Sequence, residues 1–303
     1  MIFNNAYMNS KKKYLLLIFI IFFFKEVYAV DLKNEINNKL YSNIDAFSDN
    51  LAQGIAEKFK GNERIKYLDI SIDIQEHLKP SFEIQSVNKI TEDSDGVIFN
   101  QSNIISHDGE TTLNLGFGKR NLLNNDTLML GSNYFFDYHV NESHMRNGLG
   151  IEAISSVLDL RGNYYKAIRG FKGTDEGKEK ALDGYDLQLD YHLSGKNNTD
   201  IYINTFEWEN PSSTYKEKGE KFGIISQIGQ LRLEAGYLDD DKDTDAFYGS
   251  VKLVVPLGGQ EEKTESLSEN SNYESVRNKL YIPVKRENKI KVVKVSGVSL
   301  SGF

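Results

Sequence analysis

Hydrophobic alternation with a period of two residues constrains the fold of this chain more than any other feature. It begins near Ile65 and continues to about residue 257, as in Leu187, Leu189 and Tyr191, which alternate with polar side chains. Each run is about 9–11 residues long and has one apolar and one polar face, which is typical of a tilted strand that crosses a bilayer. We count twelve runs, near residues 66–74, 80–90, 97–106, 110–117, 127–138, 144–154, 157–167, 184–193, 200–209, 219–228, 230–238 and 245–257.

The connections between the runs alternate in length, and this favours a barrel. Those near residues 155–156, 194–199 and 228–230 are short, whereas those near 168–183, 210–218 and 239–244 are longer and charged. Short turns at one end and longer loops at the other are typical of outer-membrane barrels. An exported soluble β-sandwich is the alternative, because its strands also alternate.

Aromatic residues cluster near the ends of several predicted strands. Such clusters predict girdles on the outer face, at the boundary between lipid and water. The clustered residues are Tyr134, Phe135, Phe136, Tyr138, Tyr164, Tyr165, Phe206 and Trp208.

The first residues predict export. Lys11, Lys12 and Lys13 precede an apolar run over residues 14–24, and small residues occupy the positions that a signal peptidase requires for a cut after Ala29. Apolar residues then recur at three- and four-residue spacing up to Gly61, which predicts an amphipathic helix with a polar face.

Composition changes again after Gly259. Residues 260–272 are rich in Glu and Ser, residues 273–281 could form a short helix, and residues 284–295 are basic and β-branched. The predicted organisation is a signal peptide (1–29), a periplasmic helical segment (30–62), a transmembrane β-barrel (63–259) and a linker or lumenal tail without a passenger domain (260–303). The fold class is therefore all-β, a 12-stranded antiparallel transmembrane barrel whose linker is a candidate to run through the lumen.

Charge and composition argue against several classes of function. The chain has no cysteine, and its five histidines lack the spacing of a metal site with an intervening Glu. Its net charge of −8 argues against a nucleic-acid partner. No nucleophile motif such as G-x-S-x-G occurs. We expect no enzyme activity, no cofactor and no metal.

A series of short motifs in the strands resembles the β-domain of inverse autotransporters, the intimin/invasin family. The blocks read G-x-G-x-R, M-x-G-x-N-x-F-x-D, H-x-R-x-G-x-G-x-E, N-x-Y and G-[WY]-D. They contain Gly116, Gly118, Arg120, Gly131, Asn133, Asp137, His144, Arg146, Gly148, Gly150, Glu152, Asn163, Tyr165, Gly184 and Asp186. The segment Val276–Val292 is similar to the linker of that family, through Val276, Arg277, Val284, Arg286, Asn288 and Ile290.

The resemblance implies a twelve-stranded barrel in the outer membrane of a Gram-negative bacterium. In that family the linker enters the lumen from the periplasm and leads a C-terminal passenger, usually adhesive, to the cell surface. Expected partners are outer-membrane lipid and the barrel-assembly and periplasmic chaperone machinery, with peptidoglycan and a host surface as further candidates. A narrow pore plugged by its own linker remains the alternative function within the barrel class.

The polar face of the strands predicts a charged lumen. It carries Asp137, Arg146, Glu152, Asp186 and Asp190. A basic segment at residues 285–294 could sit there by charge complementarity.

Overall fold

The computed structural model describes residues 46–168, 172–174, 177–193, 199–211, 214–242, 244–255, 257 and 274–294. The predicted signal peptide, the first part of the helical segment (30–45) and the whole Glu/Ser-rich stretch (260–272) lie outside the described residues.

Twelve of the described strands close into an antiparallel barrel, which confirms the predicted fold class. Each barrel strand pairs with the next barrel strand along the chain, and the last one returns to pair with the first. Closure leaves no strand edge, which a bilayer requires because lipid cannot satisfy free backbone groups. The barrel strands are β1 (Ile65–Gln75), β2 (Ser81–Glu92), β3 (Gly96–His107), β4 (Glu110–Leu123), β5 (Leu128–His139), β6 (Met145–Ser155), β7 (Leu158–Ala167), β10 (Asp183–Leu193), β11 (Thr199–Glu209), β12 (Lys216–Ile228), β13 (Leu231–Asp240) and β14 (Ala246–Val255).

The two ends of the barrel differ in their connections. At one end, called the turn end, the strands are joined through residues 93–95, 124–127, 156–157, 194–198 and 229–230. At the other, called the loop end, they are joined through residues 76–80, 108–109, 140–144, 168–182, 210–215 and 241–245. The chain also enters β1 and leaves β14 at the turn end, because the number of strands is even.

A small second sheet lies in the longest connection of the loop end. Its strands are β8 (Lys172–Thr174), β9 (Gly177–Ala181) and β15 (Val292–Lys294), in the order β15-β9-β8. The sequence pattern predicted a loop at residues 168–183, and this was wrong in part. The hairpin is completed by a strand from the C-terminal linker, a pairing across more than a hundred residues that local alternation does not reveal.

Helical structure is brief among the described residues. A helix at residues 46–56 continues as a 3₁₀ turn at Glu57–Phe59, and Gly61 follows with a φ of 87°. The helix predicted over residues 273–281 is a single 3₁₀ turn at Arg277–Lys279.

No helix among the described residues is both long enough and apolar enough to cross a bilayer.

The predicted faces of the strands are confirmed on β10. Leu187, Leu189 and Tyr191 are exposed on the outer face, whereas Asp186 and Asp190 are buried inside the barrel. The apolar face therefore surrounds the barrel, and the charged face lines its lumen.

The predicted aromatic girdles were wrong for half of the cluster. Tyr134, Phe136 and Tyr164 are exposed on the outer face, but Phe135, Tyr165, Phe206 and Trp208 are at most 4% exposed and point inward. Neighbouring residues of a strand point to opposite faces, so a run such as residues 134–136 divides between lipid and lumen. The inward rings belong to the site described below.

The facing of β10 gives a direct prediction. Leu189→Arg places a charge on the outer face in the middle of a strand, and we expect it to lower the free energy of unfolding by about 2–4 kcal/mol near the bilayer midplane. The measurement is urea unfolding in lipid vesicles, with heat-modifiable gel mobility as the signal that reports the folded fraction. Gln188→Arg is the matched control, because Gln188 faces the lumen. Equal stability of Leu189→Arg and wild type would contradict the assignment of faces.

Candidate functional site: the lumen and the linker that crosses it

The linker enters the barrel at the turn end. The backbone N–H of Val276 donates to the carbonyl oxygen of Asp126 at 2.7 Å. Arg277 Nε donates to the Asp126 carboxylate at 2.8 Å, and Lys279 Nζ donates to the carbonyl oxygen of Ser155 at 2.8 Å. Asp126 and Ser155 lie at two different turns, so these contacts fix where the linker enters.

An apolar cluster inside the barrel holds the first part of the linker. Val276, Leu280, Tyr281 and Val284 are at most 3% exposed. They pack against wall residues, which are Val87, Val97, Phe99, Leu122, Met129, Phe135 and Ile154. Burying four apolar side chains stabilises the seated linker by about 1.5–3 kcal/mol for each that is fully removed from water.

Arg120 supports this entry from the wall. Its Nη1 donates to the carbonyl oxygens of Leu280 at 2.8 Å and Ile282 at 2.6 Å, and its Nε donates to Glu152 at 2.6 Å. The guanidinium also lies over the ring of Phe99, with 4.6 Å from Cζ to the ring centre. A fully buried cation is thus paired with a carboxylate and used to satisfy the backbone of the linker.

Wall side chains continue to bond the linker backbone toward the loop end. Gln101 Oε1 accepts from the N–H of Val284 at 2.7 Å. The remaining contacts are Asn163 to the Lys285 carbonyl at 3.1 Å, Arg146 to the Glu287 carbonyl at 2.6 Å, the Glu287 N–H to the Tyr165 hydroxyl at 2.7 Å and Asn114 to the Asn288 carbonyl at 2.9 Å. These hydrogen bonds hold the linker through its backbone and do not depend on the identity of its side chains.

The contacts around Arg286 recognise its side chain as well as the linker backbone. We call the wall residues that contact its guanidinium, Asp137 and Phe135, the seat of Arg286. Its Nη1 and Nη2 donate to the two oxygens of Asp137 at 2.8 and 2.7 Å. Arg146 Nε donates to the same carboxylate at 2.8 Å, so two cations share one buried anion. The Arg286 guanidinium also lies 4.2 Å from the centre of the Phe135 ring. A bidentate pair combined with an aromatic face selects arginine over lysine.

Two lysines of the linker are also held by carboxylates of the barrel wall. Lys285 Nζ donates to Asp190 at 2.8 Å, and Lys291 Nζ donates to Glu217 at 2.8 Å. Lys291 also lies 4.9 Å from the centre of the Phe206 ring and 5.4 Å from that of Trp208. The inward aromatic rings therefore act as cation–π partners.

The linker leaves the lumen at the loop end, beside the second sheet. The Leu182 N–H donates to the carbonyl oxygen of Lys291 at 2.9 Å. Val292–Lys294 then pairs antiparallel with Ala181, Lys180 and Glu179 of β9. The described linker thus contacts the barrel from the turn end to the loop end.

The motif glycines make room for other side chains. A Cβ at Gly148 would lie 2.9 Å from Nη2 of Arg286, and a Cβ at Gly116 would lie 2.3 Å from the Phe135 ring. Gly118, Gly131, Gly150 and Gly184 are similarly occupied by Phe99, Glu152, the amides of Asn133 and Asn163, and Trp208. The space beside each of these glycines is therefore taken up by a side chain of the barrel wall or of the linker.

The polar motif residues all lie at buried positions. Arg120, Asp137, Arg146, Glu152, Asn163 and Asp186 line the lumen, together with Asn133 and Tyr165. His144 precedes β6 at the loop end, with Nε2 3.5 Å from a carboxylate oxygen of Glu179 in β9. Among the linker positions, Val276, Val284 and Ile290 are buried, and Asn288 Nδ2 donates to Glu83 at 2.9 Å.

The sequence reasoning missed Asn114 and Glu217 as contacts of the linker. Both lie at inward positions of their strands, so the alternation carried a signal for their facing but none for their partner. Phe206 and Trp208 were noticed and assigned to the wrong face.

A cavity of about 2,020 Å³ occupies the lumen beside the linker. Its wall includes Tyr67, Tyr202, Glu234 and Lys252. It reaches Gln230 at the turn end and His77 and Thr244 at the loop end. Among the described residues, the linker therefore lies against one side of the lumen, and the cavity occupies the other side.

Comparison with known proteins identifies this arrangement. The family model for the inverse autotransporter β-domain matches residues 26–288. The chain belongs to the inverse autotransporter β-domain family. The protein is therefore an outer-membrane barrel of a Gram-negative bacterium, and its family points to a structural or transport role.

Two relatives of this β-domain come from Escherichia coli K12. One, a "Putative attaching and effacing protein homolog", is 30% identical over 136 residues, which are 44% of this chain and 44% of the relative. The other, "Inverse autotransporter adhesin YeeJ", is 29% identical over 115 residues, which are 35% of this chain and 5% of the relative. The chain thus spans less than half the length of these curated relatives.

The fold of the β-domain also matches a solved structure. A chain solved in work on the in-meso crystallization of membrane proteins superposes with a TM-score of 0.62 at 16% identity, covering 75% of this chain and 98% of that one. At this identity the likeness shows the fold alone.

Within the described ranges, no group of three or more His, Asp or Glu side chains could hold a metal ion.

The seat of Arg286 predicts how the linker responds to mutation. Arg286→Ala removes two charge-assisted bonds from Asp137, which keeps Arg146, and we expect the seated state to lose about 1.5–3 kcal/mol. Hydrogen exchange of the linker amides at residues 284–290 in vesicles measures this loss.

Arg277→Ala is the matched control. Arg277 pairs with Asp126 at the rim with 42% of its side chain exposed, so we expect a loss of about 0–1 kcal/mol. Equal exchange in the two variants would contradict a special role for the Arg286 seat.

Proposed function

We propose that this β-domain is an outer-membrane translocator, which anchors its linker in the lumen and delivers the segment that follows to the cell surface. One observation carries the proposal: the described linker spans the barrel from the turn end to the loop end, held by wall side chains that bond its backbone. In outer-membrane barrels the short turns face the periplasm and the longer loops face outward. The linker then runs outward.

Recognition of the backbone suits a conduit. Contacts from Arg120, Asn163 and Arg146 reach carbonyl oxygens that every residue carries, so a chain of any sequence could use them as it passes. The ion pairs of Lys285, Arg286 and Lys291 with wall carboxylates instead hold the linker at one position. The barrel wall therefore lets a chain pass and also fixes the final register of the linker.

The delivered segment is proposed to serve adhesion. Support comes from the relative named as an inverse autotransporter adhesin, to which this chain corresponds over 5% of that relative's length. The β-domain itself is proposed to carry no enzyme activity. Its proposed partners are the barrel-assembly and periplasmic chaperone machinery during insertion, with a host surface or peptidoglycan as candidates for adjoining segments.

A narrow pore is the second candidate function. The cavity of about 2,020 Å³ beside the linker favours it, because small solutes could pass a linker that acts as an incomplete plug. The two candidates differ in the fate of the C-terminal end.

An epitope tag after Phe303, probed on intact cells with antibody and protease, tests the translocator. We expect the tag to be accessible without permeabilisation, as for a control tag in the connection at residues 210–215. A second control tag in the turn at residues 229–230, at the same end of the barrel, should be reached only after permeabilisation. A C-terminal tag that behaves like the tag at 229–230 would contradict export and favour the pore.

A further inference from the structure

The lumen wall contains a buried carboxylate, Asp186, whose hydrogen-bond partners are uncharged. Asp186 is 5% exposed, and the described part of the chain gives it no ion pair. The Tyr165 hydroxyl donates to its Oδ2 at 2.6 Å, and Asn163 Nδ2 donates to its Oδ1 at 2.9 Å. A carboxylate taken out of water is costly without a cation, so its presence at this position needs another reason.

Other buried carboxylates of the lumen have cationic partners. Asp137, for example, accepts from both Arg146 and Arg286. Asp186 instead lies directly opposite Asn163 in the pairing of β10 with β7, and each of its oxygens accepts from one neutral donor. The two donors, rather than a charge, are what this carboxylate serves.

Both of these donors also hold the linker. Asn163 Nδ2 donates to the carbonyl oxygen of Lys285 at 3.1 Å, and the Tyr165 hydroxyl accepts from the N–H of Glu287 at 2.7 Å. That carbonyl and that N–H belong to the two peptide groups on either side of Arg286. Each donor therefore has one hydrogen bond to the carboxylate and one to a peptide group that flanks the arginine.

The carboxylate determines which atoms of its partners face the linker. An ionised carboxylate only accepts hydrogen bonds, so the Tyr165 hydroxyl directs its proton to Asp186 and keeps its oxygen free to accept from Glu287. The carboxylate also attracts the amide nitrogen of Asn163 and repels the amide oxygen, so the nitrogen lies where it can donate to Lys285 as well. Reversal of either group would set acceptor against acceptor or donor against donor.

We propose that Asp186 is the positioning residue for Arg286. Within the described ranges it makes no hydrogen bond or ion pair with the linker, yet through Asn163 and Tyr165 it holds both peptide groups beside Arg286. The guanidinium is thereby placed against Asp137. This role rests on the proposed anchoring of the linker in the lumen, and it assigns the register of the linker to a wall residue that acts through its neighbours.

Asp183 provides a matched control for a role that is only structural. It lies in the same strand, is also 5% exposed, and also bonds β7, through the Lys166 ammonium and the backbone N–H of Ala167. In the described structure neither of these partners bonds the linker. Asp183→Asn therefore weakens a link between β10 and β7 and leaves the donors to the linker in place.

Asp186→Asn keeps the size of the side chain but replaces one acceptor oxygen with a donor, so it cannot accept from both partners. Residue-resolved hydrogen exchange of the full chain in lipid vesicles compares two linker amides, that of Glu287 and that of Val284, which bonds Gln101. We expect the Glu287 amide to exchange at least tenfold faster than in wild type and the Val284 amide to change by less than twofold. In Asp183→Asn both amides should stay within twofold of wild type.

The outcomes separate this role from the anchoring itself. Faster exchange of both amides to the same extent in Asp186→Asn, equal acceleration of the Glu287 amide in the Asp183→Asn control, or no acceleration would overturn the positioning role while the protected Val284 amide still reports a seated linker. A Val284 amide that is unprotected in wild type would overturn the anchoring together with the role.

Tyr165→Phe tests whether Asp186 acts through the hydroxyl. This variant removes the acceptor of the Glu287 amide, and we expect the same acceleration as in Asp186→Asn. Adding Asp186→Asn to it should change the exchange rate of that amide by less than threefold. A further acceleration of tenfold would refute an action through Tyr165.

Asp186→Ala replaces Asp186→Asn if the latter does not fold. Asp186 borders the lumen cavity, so water can fill the space that the carboxylate leaves, and the same two amides are measured. If neither variant shows the heat-modifiable mobility of a folded barrel while Asp183→Asn does, the carboxylate is needed for the barrel itself and the positioning role is wrong.

Discussion

The pairing of Arg286 with Asp137 is the interaction on which the lumen depends. Asp137 is fully buried, and it is shared between Arg146 from the neighbouring strand and Arg286 from the linker. A buried carboxylate is costly unless its oxygens are bonded, and two cations bond both of them here. Gly148 leaves the room that the Arg286 guanidinium occupies, and Phe135 lies against its face. Two strands, β5 and β6, and the linker are thereby fixed relative to one another.

The rest of the lumen has two sides, one that holds the linker and one that contains a cavity. On one side, apolar side chains at the turn end and polar side chains above them hold the linker along its described length. On the other side, an open cavity lies between the linker and the wall that includes Tyr202 and Tyr248. An asymmetric lumen of this kind can hold one chain segment firmly and still admit water. It accounts for a barrel that is anchored to its linker without being filled by it.

Much of the fold could be predicted because the outer and inner faces of a barrel differ at every second residue. The alternation located all twelve barrel strands, and the charges between the apolar residues located the lumen. Alternation contains no information about partners distant in sequence, so the pairing of Val292–Lys294 with β9 was missed. Position near a strand end was also a poorer guide than parity, as Trp208 shows: it lies near an end, yet it faces inward to Lys291.

The sequence identified the motif residues but not the contacts that explain them. The family resemblance pointed to Gly116, Gly148 and Arg120, but only the structure shows that the glycines accommodate Phe135 and Arg286 and that Arg120 bonds the carbonyls of the linker. These reasons involve three segments at once, and no spacing within one strand encodes them.

Measuring the register of the linker in the membrane is the most direct test that the linker is held inside the lumen. Asn288 Nδ2 donates to Glu83 at 2.9 Å, so Glu83→Cys and Asn288→Cys should be joined by a short bismaleimide. With a protease site inserted in residues 260–273, the joined chain should stay in one piece after cutting. Ser94→Cys with Asn288→Cys is the mispaired control, because Ser94 lies at the turn end beside Arg277. Cross-linking of the first pair alone is the predicted result, whereas equal cross-linking of both pairs, or of neither, would contradict a linker seated in this register.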